Sequence, residues 1–158
     1  MRHRITTGYG VNTLCYPFSM TVLYNTIGID YANLRRADPR IAKQIDAALG
    51  DAWSVLNIGA GAGSYEPTGR QVTAIEPSVE MIRQRHASNV RVMLAAAEDL
   101  PFRDHTFGAA MAVLTIHHWS DKVAGIRKMR RVTRGGLSFL PMIRSIRDSG
   151  WPITFLRW

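Results

Sequence analysis

Short runs of apolar residues alternate along the chain with stretches in which apolar positions recur every three or four residues. The runs fall at 53–58 (WSVLNI), 72–75, 90–94, 109–114 and 137–140. They are apolar on both faces, which is the pattern of strands buried in a parallel sheet covered on both sides. Between them, 38–50 (DPRIAKQIDAALG) reads as a helix with Asp38 as N-cap, Pro39 at its first position and Gly50 as its stop. Ile41, Ile45 and Leu49 form its apolar stripe. A second helix is expected over 78–86 behind Ser78, and a third over 120–132, capped by Ser120, with Val123, Ile126 and Met129 on its inner side. Strands alternating with helices give an α/β fold with a mostly parallel sheet. Residues 1–24 lack a period and read as a weakly structured leader, 25–140 as the folded domain and 141–158 as an atypical tail.

Composition changes this picture little. The 158 residues suffice for one domain with a real core. A single cysteine, Cys15, excludes a disulfide framework and points to a reducing, cytoplasmic setting. No apolar run is long enough to span a bilayer, and no apolar segment follows Arg2 and Arg4, so neither a membrane helix nor a signal peptide is expected. The net charge of +8 raises the question of a polyanionic partner. Its one cluster, Arg127, Lys128, Arg130, Arg131 and Arg134, lies on the third helix, where a solvated face is the simpler reading than nucleic-acid binding.

Chemistry is concentrated where the first strand runs into glycines, in Val55-Leu56-Asn57-Ile58-Gly59-Ala60-Gly61-Ala62-Gly63. Without Cβ atoms such a turn lets backbone approach a ligand, and the carboxyl end of a first strand is where open α/β sheets bind nucleotides. Glu76 closes the second strand, placed to accept hydrogen bonds from both hydroxyls of a ribose. Loop and acid together indicate an adenosine-containing cofactor; the blander alternative is a tight turn beside a surface glutamate. A dinucleotide fingerprint needs Gly or Ala at the sixth position from Gly59, where Ser64 stands, and no Gly-Lys-Ser/Thr follows to make a P-loop.

These residues resemble class I S-adenosylmethionine-dependent methyltransferases, within them the small-molecule type 11 group that includes quinone-biosynthesis enzymes. The likeness runs from Ile27 to Gly135. VLNIGAGAG resembles the family's first motif, which implies cofactor contacts from Asn57, Gly59, Ala60, Gly61 and Gly63. VTAIEPSVEMI resembles the second, with Glu76 on the ribose and Pro77 near the adenine. AAAEDLPFRDHTF would bring Ala97 and Glu98 to the adenine pocket. MAVLTIHHWSD is similar to the fourth-strand motif, implying Leu114 and His117 beside the methyl-transfer site. The resemblance thus implies a Rossmann-like three-layer sandwich, S-adenosylmethionine as cofactor and a small-molecule methyl acceptor. In-line displacement from a sulfonium asks for alignment, plus a base for a protonated acceptor, and requires no metal. His117 is the candidate base, the blander alternative being that it shapes the pocket while His118 and Trp119 pack or cap the following helix; neighbouring histidines on a strand end would point to opposite faces. Tyr31, with Arg36, is a candidate lid over the cofactor.

The sequence also departs from the family. Asn57 replaces the usual acid and Ala96 the usual Asp or Asn, while Pro67 and Gly69 limit the first crossover to about a turn of helix. After Gly136 the expected helix and antiparallel strands six and seven have no counterpart, so the chain reads as truncated or frameshifted there. Ile143, Ile146, Trp151, Phe155 and Trp158 would leave an apolar tail able to drive homo-oligomer formation. Three functions are carried forward: a small-molecule methyltransferase, an inactive remnant that binds the cofactor, and a basic nucleic-acid-binding protein.

Overall fold

The computed structural model describes residues 37–135, together with the backbone of 137–140 and 154–156. Among the described residues six strands form one sheet in the order β3-β2-β1-β4-β5-β6. They are β1 (Ser54–Ile58), β2 (Gln71–Glu76), β3 (Arg91–Leu94), β4 (Ala109–Val113), β5 (Leu137–Leu140) and β6 (Thr154–Leu156). β1 to β5 run parallel, and β6 returns antiparallel along β5, with Ser138 opposite Phe155. The tail therefore supplies a strand that its sequence pattern does not announce, because three residues are too few to show a period.

Side-chain alternation explains why the central strands read as uniformly apolar. Leu56 and Ile58 of β1 with Ala110 and Ala112 of β4 bury on one face, alongside Met129 and Val132 of helix α3 (Lys122–Val132). Val55, Ala109 and Met111 bury on the other, against Ile45 and Leu49 of helix α1 (Pro39–Leu49). β1 and β4 thus contribute alternate residues to two cores. The α1 punctuation holds in detail: Asp38 accepts from the Arg40 N–H at 2.8 Å, and Gly50 ends the helix at φ 55°.

Three expectations are corrected. Asp121, not Ser120, caps α3, accepting from the Ala124 N–H at 2.9 Å; Ser120 instead donates to Glu98. Val123 and Ile126 lie on the exposed side of α3, because its buried stripe is Gly125, Met129 and Val132. Gly125 sets that rotation: the Trp119 ring fills the space its side chain would need. The first crossover, residues 59–70, contains turns and no helix. The second helix is real but short, α2 (Val79–Arg83), with the Ser78 hydroxyl accepting from Met81 N–H at 3.2 Å as expected.

The chain builds outward from β1 to β2 and β3, then crosses to the other side of β1 to lay down β4 and β5. The switch point lies between β1 and β4, where an open α/β sheet forms its ligand crevice at the strands' carboxyl ends.

Candidate functional site

The glycine loop leaves β1 tethered to its neighbour. The N–H groups of Gly59 and Ala60 both donate to the Ile75 carbonyl, at 2.8 and 3.0 Å. Gly59 sits at φ 66°, in the region that favours glycine. A Cβ there would overlap the Thr115 hydroxyl and lie 2.7 Å from Thr115 Cβ. The loop after β1 and the loop after β4 therefore meet at this position.

Glu76 lies where the sequence places it, at the carboxyl end of β2, buried with 6% exposure. Its Oε2 accepts from the Gly61 N–H at 2.7 Å and its Oε1 from the Ser78 N–H at 2.9 Å. Burial pushes the carboxyl up from its ordinary value, opposed by these two backbone N–H groups and by the Arg85 charge. Each carboxylate oxygen accepts one described protein hydrogen bond and keeps a further lone pair, so the group is fixed in orientation yet can still receive two hydroxyls. The backbone thus fixes the direction of the side chain.

At the end of β4, Leu114 adopts φ 55°, a left-handed conformation uncommon for a branched side chain, and Thr115 is buried. Then comes a single 3-10 turn, Ile116–His118. The two histidines are on this turn and not on the strand, so their rings lie together, centroids 3.7 Å apart, instead of pointing to opposite faces. His117 Nε2 is buried and has no hydrogen-bond partner among the described residues. Desolvation, and then the Lys122 charge, holds the His117 imidazolium below the ordinary histidine pKa. Desolvation followed by the His117 ring lowers His118 to about 4. Trp119 is buried and packs on Gly125, as a residue seating the next helix should.

Other predicted residues fall differently. The Ala97 side chain belongs to the core beside Trp119, which leaves only its backbone to face a ligand. Glu98 accepts from the Ser120 hydroxyl and the Asp121 N–H, both at 2.9 Å, and so ties the segment after β3 to the start of α3. Pro77 is exposed beside Glu76. Tyr31 and Arg36 lie outside the described residues, as do the 1–24 leader and most of the tail. Sequence reasoning missed Glu66 and Arg85, a buried ion pair beneath the glycine loop. Neither belongs to a recognisable motif, and only folding brings them together.

The β1/β4 switch point, the glycine loop and the buried acid at the end of β2 lie within a stretch that matches a known family. Residues 56–140, more than half of the chain, fit the methyltransferase domain, type 11. The chain belongs to this methyltransferase family. Among curated proteins it is 29% identical over 126 residues to a ubiquinone/menaquinone biosynthesis C-methyltransferase of Geobacter sp. M21, covering 70% of this chain and 51% of that one. It is also 35% identical over 85 residues to a mouse protein named as tRNA methyltransferase 9B, covering 51% of this chain and 18% of the relative. Among solved structures it is similar to a protein of Anabaena variabilis described as a methyltransferase of an antibiotic biosynthesis pathway. That match has a TM-score of 0.63 at 30% identity and covers 66% of this chain and 46% of the other. The chain spans about half the length of the quinone-biosynthesis relatives. Family membership makes S-adenosylmethionine the cofactor of this Rossmann-like domain. The remaining acceptor capacity of Glu76 fits the ribose of that cofactor.

Proposed function

We propose that this protein transfers a methyl group from S-adenosylmethionine to a small-molecule acceptor in the cytoplasm. The observation that carries the reading is Glu76, buried at the end of β2 and oriented by the Gly61 and Ser78 N–H groups beside a glycine loop. Glu76 would hold the ribose hydroxyls. The loop at Gly59, Ala60, Gly61 and Gly63 would lie along the cofactor with its backbone. Pro77 and the backbone at Ala97 would border the adenine, with Glu98 bracing that segment. When bound, the cofactor supplies an electrophilic methyl on a sulfonium, and the chain's task is alignment and water exclusion.

His117 would accept the acceptor's proton at Nε2. Among the described residues that atom is buried without a hydrogen-bond partner, and burial and then Lys122 favour the neutral ring. Leu114, held in its strained conformation, would shape the floor beside it, and Tyr31 would serve as the lid. A small acceptor is supported by the quinone-biosynthesis relative; the mouse relative's name is the reason to assay tRNA beside it.

The test is calorimetric titration with S-adenosylhomocysteine of the wild type and a Glu76→Ala variant. Saturable binding that weakens at least tenfold in the variant is expected, about 1.4 kcal/mol for a lost charged hydrogen-bond acceptor. A folded wild type that does not bind would overturn the reading. Methyl transfer from labelled cofactor to a quinol or to tRNA then identifies the acceptor class, and turnover separates an enzyme from a chain that only holds its cofactor.

A further inference from the structure

Beneath the glycine loop lies a polar network that no motif contains. Arg85, just past the end of α2, carries a side chain only 7% exposed, and that of Glu66, in the crossover, is 10% exposed. Arg85 donates through Nη2 to Glu66 Oε2 and through Nη1 to the Gly61 carbonyl at 3.1 Å. The other Glu66 oxygen accepts from Asn57 Nδ2 at 3.3 Å, and Asn57 is itself buried in β1. The chain Asn57–Glu66–Arg85–Gly61 thus links β1, the crossover, α2 and the glycine loop. Gly61 is held from both sides, its N–H by Glu76 and its carbonyl by Arg85. A Cβ on Gly63 would sit 3.0 Å from Glu66 and 3.1 Å from Arg85, so the ion pair occupies the space under the loop.

This arrangement accounts for two departures together. The crossover has no helix to brace the glycine loop, and a buried ion pair stands in that place. An acid at position 57 would put a second carboxylate against Glu66, whereas the Asn57 amide donates to it. Opposite charges this deeply buried are stabilising only as a complete set, since removing one leaves the other desolvated and unpaired.

We infer that Arg85 and Glu66 are positioning residues for the cofactor: they form a clamp, completed by Asn57, that fixes the glycine loop and, through Gly61, the carboxylate of Glu76. Neither residue touches the reacting atoms. The inference rests on the cofactor reading above, in that the clamp's purpose is to preshape that site.

The deciding variant is Asn57→Asp, which introduces the acid that the family usually carries. It lowers S-adenosylhomocysteine affinity about tenfold or more, because two carboxylates then compete for Arg85, and adding Glu66→Gln restores most of the loss. The double variant Glu66→Gln/Arg85→Met removes both charges without stranding either. Without any ligand, it speeds amide hydrogen exchange over residues 60–66 by about tenfold while β1 and β4 stay protected. In turnover it raises KM for the cofactor more than it lowers kcat. Unchanged affinity in Asn57→Asp, or unchanged loop exchange in the double variant, overturns the clamp. Faster loop exchange in the double variant, together with a folded wild type that binds no S-adenosylhomocysteine, leaves the clamp standing and overturns the cofactor reading instead. If Asn57→Asp does not fold, Arg85→Lys replaces it: lysine cannot reach Glu66 and the Gly61 carbonyl as a fork, and intact affinity there is equally fatal.

Discussion

At Gly59 one absent methyl group decides whether two loops can meet. Alanine there would need a left-handed conformation and would strike Thr115, so Gly59→Ala is expected to destabilise the fold by roughly 2–4 kcal/mol, measured by urea unfolding. Replacing Thr115 with glycine in that background should recover part of the loss; no recovery would show that backbone strain alone is responsible. Glu76 carries a pH prediction. Burial raises its carboxyl, so as pH falls it becomes protonated sooner than an ordinary glutamate and loses acceptor capacity. Affinity for S-adenosylhomocysteine should therefore decline on acidification, starting above the usual carboxylate range, and Glu76→Gln should flatten that decline. His117 shifts the other way: its neutral form persists below the ordinary histidine range. His117→Gln is expected to cut kcat by about 10²–10⁴ while leaving cofactor affinity nearly unchanged. The acid limb of the wild-type kcat profile should lie below pH 6.5. Glu76 and the glycines were legible in the sequence because a strand end fixes where the next residue stands. The close approach of the two histidine rings was not, because a 3-10 turn after Thr115 breaks the alternation that a strand would impose.

Among the elements, α3 shows how tertiary contact overrides local pattern. Val123, Ile126 and Met129 make a reasonable inner face by spacing alone, yet only Met129 is buried, because the helix turns its Gly125 toward Trp119. A Cβ on Gly125 would come 2.5 Å from the Trp119 ring and 3.3 Å from Ala97. Gly125→Ala therefore sets two effects against each other. Helix propensity gains at most about 1 kcal/mol, whereas overpacking costs about 1–3 kcal/mol. Net destabilisation is expected, accompanied by a change in Trp119 fluorescence; a stabilised variant would mean that α3 shifts away freely. The same element explains the capping error. Ser120 and Asp121 are both good caps, and what separates them is Glu98, which takes the Ser120 hydroxyl and leaves Asp121 to meet Ala124. Glu98 comes from a segment twenty-two residues earlier in the chain, so no local reading could have decided between them.

Across the molecule, the order of strands separates what the site requires from what the sheet merely carries. Apolar runs and punctuated helices identified β1 to β5 and their parallel arrangement, since burial on both faces leaves a strong signal. The short β6 left none. In the sheet order β3-β2-β1-β4-β5-β6, Glu76 and the glycine loop belong to β2 and β1, while β6 lies beyond β5 at the far edge. Its ladder pairs with β5 alone, through Leu137, Ser138 and Phe139. Removing residues 154–158 should therefore lower the melting temperature, because β5 becomes an unpaired edge, yet leave S-adenosylhomocysteine affinity within about twofold of wild type, as expected for sites that share no partners. Differential scanning fluorimetry and calorimetry on the same sample make the comparison. A collapse of affinity with an intact melt would mean that the C-terminal strand reaches the β1/β4 crevice, and the cofactor site would then have to be redrawn to include it.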